Sequence, residues 1–241
     1  YSTYTGTYLG IGDGTFGPVS LSNPLPYGNE YDIETGDING DGKQDYAGGQ
    51  TYPSNGYGGG GESAFAGIHL GNGDGTFGAP GRSFASYHRL RDPFTLQDIN
   101  NDNKLDILSP VAISGATCKC FTDYKGNGDG TFEYYGSQHN LPSSFTQDIY
   151  AVHAADVNGD GKQDAIAISK GYVAIFIGAA NGTFITPSSY FPIFSNPDSG
   201  REGTDIITTD LNGDGKPDIV GSSPLGYGSD VFFTMLNTSG N

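Results

Sequence analysis

The 241-residue chain has no tryptophan, one methionine and only two cysteines. Basic residues are also scarce: 11 Lys and Arg stand against 27 Asp and Glu, which gives a net charge of -16. Nucleic-acid phosphates and anionic membrane surfaces attract basic patches, so this balance argues against either as a partner. No apolar run approaches the ~20 residues that a membrane-spanning helix needs, so we expect no membrane insertion.

The two cysteines, Cys118 and Cys120, are separated by one residue. On a strand, side chains two positions apart share a face, and a disulfide between them would strain a regular strand. Three alternatives are open: a local disulfide at a bulge, disulfides to another chain, or two free thiols. A zinc site is not expected, because no second Cys or His pair lies at ligand spacing.

Glycine, in contrast, is abundant, with 40 residues accompanied by frequent Ser, Thr, Asn and Tyr. This composition is typical of an all-β protein rich in turns. The chain starts at Tyr1 without a Met or a signal peptide. We therefore expect a mature secreted product or an excised segment of a longer protein.

An Asp-rich motif of nine residues recurs four times, at residues 37–45, 98–106, 156–164 and 210–218. Each copy has Asp at positions 1, 5 and 9 and Asn at position 3. These hard oxygen donors are the ligands that Ca²⁺ prefers, and the backbone carbonyl of position 7 is the usual fifth donor. Position 6 is Gly in three copies and Asn103 in the second, and both residue types tolerate the left-handed backbone of a sharp turn.

The sequence therefore predicts about four Ca²⁺ ions, one in each loop. The predicted ligands are Asp37, Asn39, Asp41, Lys43 and Asp45; Asp98, Asn100, Asp102, Lys104 and Asp106; Asp156, Asn158, Asp160, Lys162 and Asp164; and Asp210, Asn212, Asp214, Lys216 and Asp218, with each Lys acting through its carbonyl. The loops are not EF-hands, because no Glu stands at position 12. A single copy could equally be a metal-free Asn-Gly turn, but four copies that each keep all the acidic residues favour calcium. Four bound Ca²⁺ would also halve the net charge.

A second repeat, typified by Gly-Asn-Gly-Asp-Gly-Thr-Phe, alternates with the Asp loops and ends at Phe16, Phe77, Phe132 and Phe184. Asp-Gly or Asn-Gly between apolar runs predicts a hairpin turn. Each period of 52–61 residues holds four candidate strands, A to D; in one period these are residues 94–97, 105–108, 117–124 and 132–135. Four antiparallel strands per repeat are typical of a propeller blade, and we expect the Phe to pack between blades.

The combination of the Asp loop with Gly-Asn-Gly-Asp-Gly-Thr-Phe resembles the FG-GAP and VCBS-type repeat of integrin alpha-subunit propellers, fungal integrin-like lectins and many bacterial secreted proteins. The resemblance covers nearly the whole chain. It implies an all-β fold: a single β-propeller over residues 1–241, built of four-stranded antiparallel blades, with calcium in the A–B hairpins on one face. It does not imply one function, since the fold serves adhesion, sugar binding and scaffolding.

The chain holds about four to five blades, whereas related propellers usually have seven. It opens with strands C and D, at residues 3–9 and 16–21, and closes with strands A, B and C, the last at residues 231–236. We expect either a fragment or a chain whose ends pair with another copy. Because unpaired strand edges attract partners, we predict that the strand at residues 4–9 or that at residues 231–236 lies at an intermolecular contact.

Function is expected on the face opposite the Asp loops, where the connections vary most. These are residues 49–63, 87–93, 138–144, 191–204 and 222–229. Their tyrosines could stack on sugars, although they could also be ordinary strand and turn residues. The four histidines, His69, His88, His139 and His153, form no catalytic pattern with the acids, so we do not expect an enzyme.

We therefore expect an extracellular, calcium-stabilised module that binds glycans or surface proteins through the variable-loop face. The alternative is a structural subunit that self-associates through open blade edges into a fibre or ring. Millimolar extracellular calcium would fill loops of this kind. Asn181 and Asn237 begin glycosylation sequons, which would be used only in a eukaryotic secreted protein.

Overall fold

The structure is a computed structural model that describes residues 4–22, 30–52, 63–79, 81–86, 94–111, 119–142, 149–169, 171–187, 190–193, 205–224 and 230–238. The regular elements of these residues are β-strands. They include no helix that could cross a membrane. The predicted all-β class is confirmed.

The strands form five antiparallel sheets in chain order. The first has two strands, β1 (Gly6–Thr7) and β2 (Ser20–Leu21). The first full blade contains β3 (Glu30–Gly36), β4 (Asp45–Tyr52), β5 (Ser63–His69) and β6 (Gly81–Ser86). The second contains β7 (Thr95–Gln97), β8 (Asp106–Pro110), β9 (Cys120–Gly126) and β10 (Phe132–Asn140).

The third blade contains β11 (Ile149–Ala155), β12 (Asp164–Ser169) and β13 (Tyr172–Gly178), and its outer edge is shared by β14 (Phe184–Ile185) and β15 (Tyr190–Pro192). The last sheet contains β16 (Asp205–Thr209), β17 (Asp218–Pro224) and β18 (Asp230–Met235). Within each sheet, each strand pairs with the next along the chain, as the predicted A-to-D order requires, except that β15 pairs with β13 beyond β14. The period starting at residue 94 gives β7 to β10, and its third strand extends two residues beyond the predicted end at residue 124.

Consecutive sheets pack side by side through the first strand of each. Strand β7 contacts β3, β11 contacts β7 and β8, and β16 contacts β11. Four sheets of three or more strands are thus arranged as the blades of a β-propeller, with the two-stranded sheet ahead of them. The predicted propeller of four to five blades is confirmed.

Apolar clusters fill the spaces between successive blades. The cluster between the first and second blades includes Ile38, Ile107 and Phe132, all of them buried. Phe184 packs at the next interface, where its ring centroid lies 5.5 Å from that of Phe121. Burying a side chain of this size contributes ~1.5–3 kcal/mol. The predicted packing of the repeat Phe between blades is therefore confirmed at these two interfaces. Phe16, ahead of the first full blade, is instead 68% exposed.

Two other sequence predictions have a partial outcome. Cys120 is buried and forms a disulfide, so the free-thiol alternative is wrong for it. Cys118, the only other cysteine in the sequence, lies outside the described residues. Most of the predicted variable-loop face does too: of its residues, 53–62, 87–93, 143–144, 194–204 and 225–229 are not described.

Candidate functional site

Each Asp loop connects the first two strands of its blade, as predicted for the A–B hairpins. The loops curl because positions 4 and 6 have left-handed backbones, for example Gly40 and Gly42 with φ of 74° and 81°. The second loop has asparagine at both positions, and Asn101 and Asn103 adopt φ of 60° and 63°. Asn is the residue type that best tolerates this conformation after Gly, so all four loops take the same path.

The side-chain oxygens of positions 1 and 3 meet at a single point in every loop. In the first loop, the backbone N–H of Asp41 donates to Asp37 Oδ1 and to Asn39 Oδ1, both at 3.0 Å. The same pair of hydrogen bonds recurs at Asp102, Asp160 and Asp214, at 2.8–3.2 Å. The other oxygen of the position-1 Asp accepts a bond from the N–H of position 6 at 2.8 Å in each copy. The loop backbone thus holds two oxygen donors together.

A lysine ammonium lies beside the position-5 carboxylate in three loops. Lys43 Nζ is 3.0 Å from Asp41 Oδ2, Lys162 Nζ is 2.9 Å from Asp160 Oδ2, and in the second loop Lys125 Nζ is 3.2 Å from Asp102 Oδ2. The hydrogen bond from Lys43 is the main cause that lowers the pKa of Asp41 below its ordinary value. These carboxylates are therefore ionised at neutral pH and face a positive charge.

The position-9 Asp of every loop is fully buried and ties the loop to the end of the third strand of the same sheet. In the third blade, Asp164 Oδ2 accepts a hydrogen bond from Val157 N–H at 3.1 Å, and Oδ1 accepts one from Gly178 N–H at 2.8 Å. The same bonds are made by Asp45, Asp106 and Asp218. We call this carboxylate the loop latch. Its role as a metal ligand stays a prediction, whereas its two hydrogen bonds are part of the fold.

Burial raises the pKa of the latch Asp106 to about 6; its two backbone hydrogen bonds oppose the rise, and the negative charges of Asp102 and Asp98 add to it. Desolvation also dominates the raised pKa of Asp164. The loops thus place carboxyl groups in buried positions close to other negative charges, which a bound cation would relieve.

The donor chemistry of the loops fits Ca²⁺, because each offers carboxylate and amide oxygens on a sharply turned backbone and the oxygens of positions 1 and 3 already lie together. In the described part of the chain, however, no three Asp, Glu, His or Cys side chains converge as a metal centre. The carboxylates are engaged instead by backbone N–H groups and lysines. Calcium binding therefore stays a prediction, with the residues named above as its ligands.

A polar pocket of about 270 Å³ lies between the second and third blades, next to the second Asp loop. It is lined by Ile99, Asn100, Asp102, Asp106, Asp123, Lys125, Asn181 and Gly182. Asp123 is buried at its base, and its Oδ1 lies 2.9 Å from His139 Nε2, which is also buried. The His139 ring stacks on Phe121 with a centroid distance of 4.8 Å.

This pocket departs from the repeat at two positions. Gly71, Gly126 and Gly178 are equivalent, because the N–H of each donates to the latch Asp of its blade. Three residues before these glycines stand Ile68, Asp123 and Ile175, and one residue before them stand Leu70, Lys125 and Ile177. The first and third blades therefore place aliphatic side chains where the second blade places two charges. Asn181 on the opposite wall also replaces the Asp of the other C–D turns.

Sequence reasoning missed Asp123 and His139, which belong to no motif, and gave no role to Lys125 at the start of the second-blade Gly-Asn-Gly-Asp-Gly-Thr-Phe repeat. The available signal was the aliphatic-to-charged replacement, visible when the repeats are aligned on their glycines. The remaining histidines are ordinary where described: His69 is buried and stacks on Tyr46 with centroids 4.2 Å apart, and burial lowers the pKa of His153. His88 lies outside the described residues.

The fold and the loops define a β-propeller whose blades carry Asp-rich A–B hairpins. Residues 123–167 and 156–221 match the model of the FG-GAP-like repeat. The matched residues make up less than half of the chain, and the same Asp motif recurs outside them at residues 37–45 and 98–106, so the chain resembles FG-GAP-type β-propellers. Repeats of this family are typical of extracellular proteins.

Three solved structures align with this chain, and the first of them shows the same fold. A lectin of Agrocybe aegerita, described as recognising non-reducing terminal N-acetylglucosamine, aligns with a TM-score of 0.51 at 22% identity over 86% of this chain and 50% of the lectin. The exotype rhamnogalacturonan lyase YesX aligns at 17% identity over 87% and 45% of the two chains, with a TM-score of 0.44. The V. cholerae biofilm matrix protein Bap1 aligns at 16% identity over 83% and 36%, with a TM-score of 0.37. The chain thus spans half or less of each. A comparison with curated proteins gave no match.

Proposed function

We propose that this chain is an extracellular glycan-binding module that calcium stabilises, and that the pocket between its second and third blades holds a sugar. The observation that carries the proposal is the pair Asp123 and Lys125, which stands where the neighbouring blades have Ile or Leu. A lectin with the same fold is described as recognising terminal N-acetylglucosamine, which makes that sugar the first probe.

The energetics favour a ligand role for these charges. Burying an ionised group costs free energy unless it is paired, and aliphatic residues of similar volume are often at least as stable in such positions. This argument applies to Asp123, which is buried and paired with His139; Lys125 is half-exposed and pairs with Asp102 at the mouth of the second loop. A sugar hydroxyl both donates and accepts hydrogen bonds. The pocket suits a sugar, because carboxylate, ammonium and amide groups surround it and can pair with hydroxyl groups, while Ile99 supplies an apolar wall.

In this proposal calcium has a structural role. The oxygens of positions 1, 3, 5 and 9, together with the carbonyl of position 7, would hold one ion in each loop, and the ion supplies positive charge among three carboxylates. The second loop contributes Asn100, Asp102 and Asp106 to the pocket wall. Ordering of that loop by calcium would therefore also order one side of the sugar site. We propose binding rather than catalysis.

The test is titration of the calcium-loaded chain with N-acetylglucosamine-terminated oligosaccharides, supported by a glycan array. Lys125→Ile introduces the residue of the third blade, and Asp123→Asn removes the charge while keeping a hydrogen-bond partner for His139. We expect each to reduce glycan binding at least tenfold without lowering the melting temperature. Asp129→Asn, in the exposed C–D turn of the same blade, is the matched control and should bind normally. Unchanged binding by both pocket variants, or no glycan bound by the native chain, would refute the proposal.

A second function, assembly through open blade edges, is favoured by a separate observation. Phe16, Ile11 and Leu21 of the first sheet are 68%, 64% and 63% exposed, whereas the Phe counterparts in later blades are packed. At the other end, Phe232 on β18 is 77% exposed. Apolar surfaces at both ends of a stack of blades are suited to binding another copy.

A further inference from the structure

A lysine from outside the loop reaches the second Asp loop. Lys125 lies on β9, and its Nζ is 3.2 Å from Oδ2 of the position-5 residue, Asp102. In the first and third loops the lysine beside the position-5 carboxylate is position 7 of the same loop, Lys43 or Lys162. The second loop keeps its own position-7 lysine, Lys104, as well. The charges of two lysines, Lys125 and Lys104, thus act on the Asp102 carboxylate.

Lys125 is also a departure from the repeat. It stands one residue before Gly126, whose N–H donates to the latch Asp106 at 2.8 Å. In the other sheets that have an Asp loop, the residue one before the latch-bound N–H is aliphatic: Leu70, Ile177 and Leu236. An aliphatic side chain cannot pair with a carboxylate. The extra positive charge at this position is therefore a property of the second blade and not of the repeat.

The carboxylate of Asp102 has both of its oxygens engaged. Its Oδ1 accepts a hydrogen bond from Lys104 N–H at 3.0 Å, and its Oδ2 faces the Lys125 ammonium. The side chains of Lys125 and Asp102 are 40% and 27% exposed, so solvent screens this pair less than a fully exposed one. Position 5 is also a predicted calcium ligand. Because like charges repel at short range, Lys125 competes with a divalent cation for this carboxylate.

The same ammonium belongs to the polar pocket between the second and third blades. Asp123 and Lys125 are two residues apart on β9, so their side chains share a face, and both line the pocket. Asp102, the partner of Lys125, lines it as well. A Lys125 side chain released from Asp102 therefore remains at the pocket. Its ammonium can donate up to three hydrogen bonds, which suits the oxygens of a sugar.

We propose that Lys125 makes the second Asp loop the weakest calcium site of the chain and couples that loop to the sugar pocket. While Lys125 is paired with Asp102, the loop has a reduced calcium affinity and the ammonium is withheld from a sugar. When the pair is broken, Asp102 is free to bind calcium and Lys125 is free to bind a sugar. Linkage requires that each ligand raises the affinity for the other by the same factor. This regulation of the sugar site rests on the proposed glycan function, whereas the competition for Asp102 does not.

Calorimetric titration of the calcium-free chain with Ca²⁺, below its melting temperature and without sugar, tests the competition. We expect one site at least tenfold weaker than the others, and Lys125→Ile should tighten that site at least tenfold. Lys119→Ile is the matched control, because it removes the same charge next to the start of β9, about 20 Å away, and should leave the weakest site unchanged. Ile177→Lys puts an ammonium at the equivalent position of the third blade and should create a second weak site. A weakest site that is the same in the native chain and in Lys125→Ile would overturn the proposal.

Glycan titrations at two calcium concentrations, below and above the dissociation constant of the weakest site, test the coupling. We expect the native chain to bind an N-acetylglucosamine-terminated oligosaccharide at least tenfold more tightly at the higher concentration. Asp102→Asn breaks the ion pair without calcium, so its glycan affinity at the lower concentration should match that of the native chain at the higher one.

The outcomes separate this inference from the function on which it rests. A native chain that binds no glycan refutes the proposed function and the coupling, while the calcium titration still decides the competition for Asp102. Glycan affinity that does not change with calcium refutes the coupling and leaves glycan binding in place. If Asp102→Asn binds glycan as weakly as the native chain at low calcium, release of Lys125 is not the cause and the coupling through this lysine is wrong.

Discussion

Replacing a loop latch should destabilise the propeller whether or not calcium is bound. Asp164 is fully buried, and its two carboxylate oxygens accept hydrogen bonds from Val157 N–H at 3.1 Å and Gly178 N–H at 2.8 Å. In Asp164→Asn, one oxygen becomes an NH₂ group that cannot accept either bond. In Asp164→Ala, both backbone donors lose their partner.

The magnitude follows from the number of donors left unpaired. Each buried, unsatisfied N–H costs ~1–3 kcal/mol, so Asp164→Ala should lose about 2–6 kcal/mol and Asp164→Asn about half of that. For a chain of this size, a loss of about 3 kcal/mol lowers the melting temperature by roughly 6–12 °C. The control is Asp129→Asn in the C–D turn of the second blade, where the carboxylate is exposed and bonds only Thr131. Its effect should stay within about 1 kcal/mol.

The assay is thermal unfolding by circular dichroism, in calcium and in excess chelator. The latch predicts that Asp164→Ala lowers the melting temperature under both conditions, because its hydrogen bonds do not depend on a metal. If the variant is destabilised in calcium but melts like the native chain in chelator, Asp164 acts only as a metal ligand and the latch interpretation is wrong.

Three further predictions concern calcium, pH and packing. Chelator should lower the melting temperature of the native chain, since binding only to the folded state adds ~2.7 kcal/mol per site at a hundredfold excess over the dissociation constant; an unchanged melting temperature would contradict this. Burial, with Asp32 and Asp205 nearby, raises the pKa of Glu34 from 4.5 to about 7. Between these two pH values the folded state binds a proton that the unfolded state has lost, so the free energy of unfolding should fall as pH rises from 4.5 to about 7. In melting curves recorded across this pH range, Glu34→Gln should not show that fall. Gly178→Ala should strongly lower the free energy of unfolding measured in urea, because a Cβ there would clash with the carbonyl oxygen of Gln163. In Gly159→Ala the new Cβ meets no neighbour, so the only loss should be the strain of a left-handed backbone at Ala.

The sequence was sufficient to predict the strand order and the positions of the Asp loops, because both depend on local signals that repeat. Asp-Gly and Asn-Gly turns mark the hairpins, and four copies of one spacing show where the blades begin. The packing of Phe132 and Phe184 was predictable for the same reason. Phe16 is exposed because no described sheet precedes its own, which a local pattern cannot reveal.

The functional details depended on contacts between distant residues. The latch was not predicted because Asp164 meets Gly178 only when the A–B loop and the C–D turn come together at one end of the blade. The pairing of Asp123 with His139 and of Lys125 with Asp102 likewise requires strand register and loop position, not motif spacing. The variable-loop face, where the sequence placed binding, lies mostly outside the described residues.

The most direct test of the proposed function is a crystal structure of the chain grown with calcium and an N-acetylglucosamine-terminated oligosaccharide. We expect anomalous density for one ion in each of the four Asp loops, and sugar density between the second and third blades in contact with Asp123 or Lys125. Metal-free loops, or a sugar bound elsewhere with this pocket empty, would contradict the proposed function.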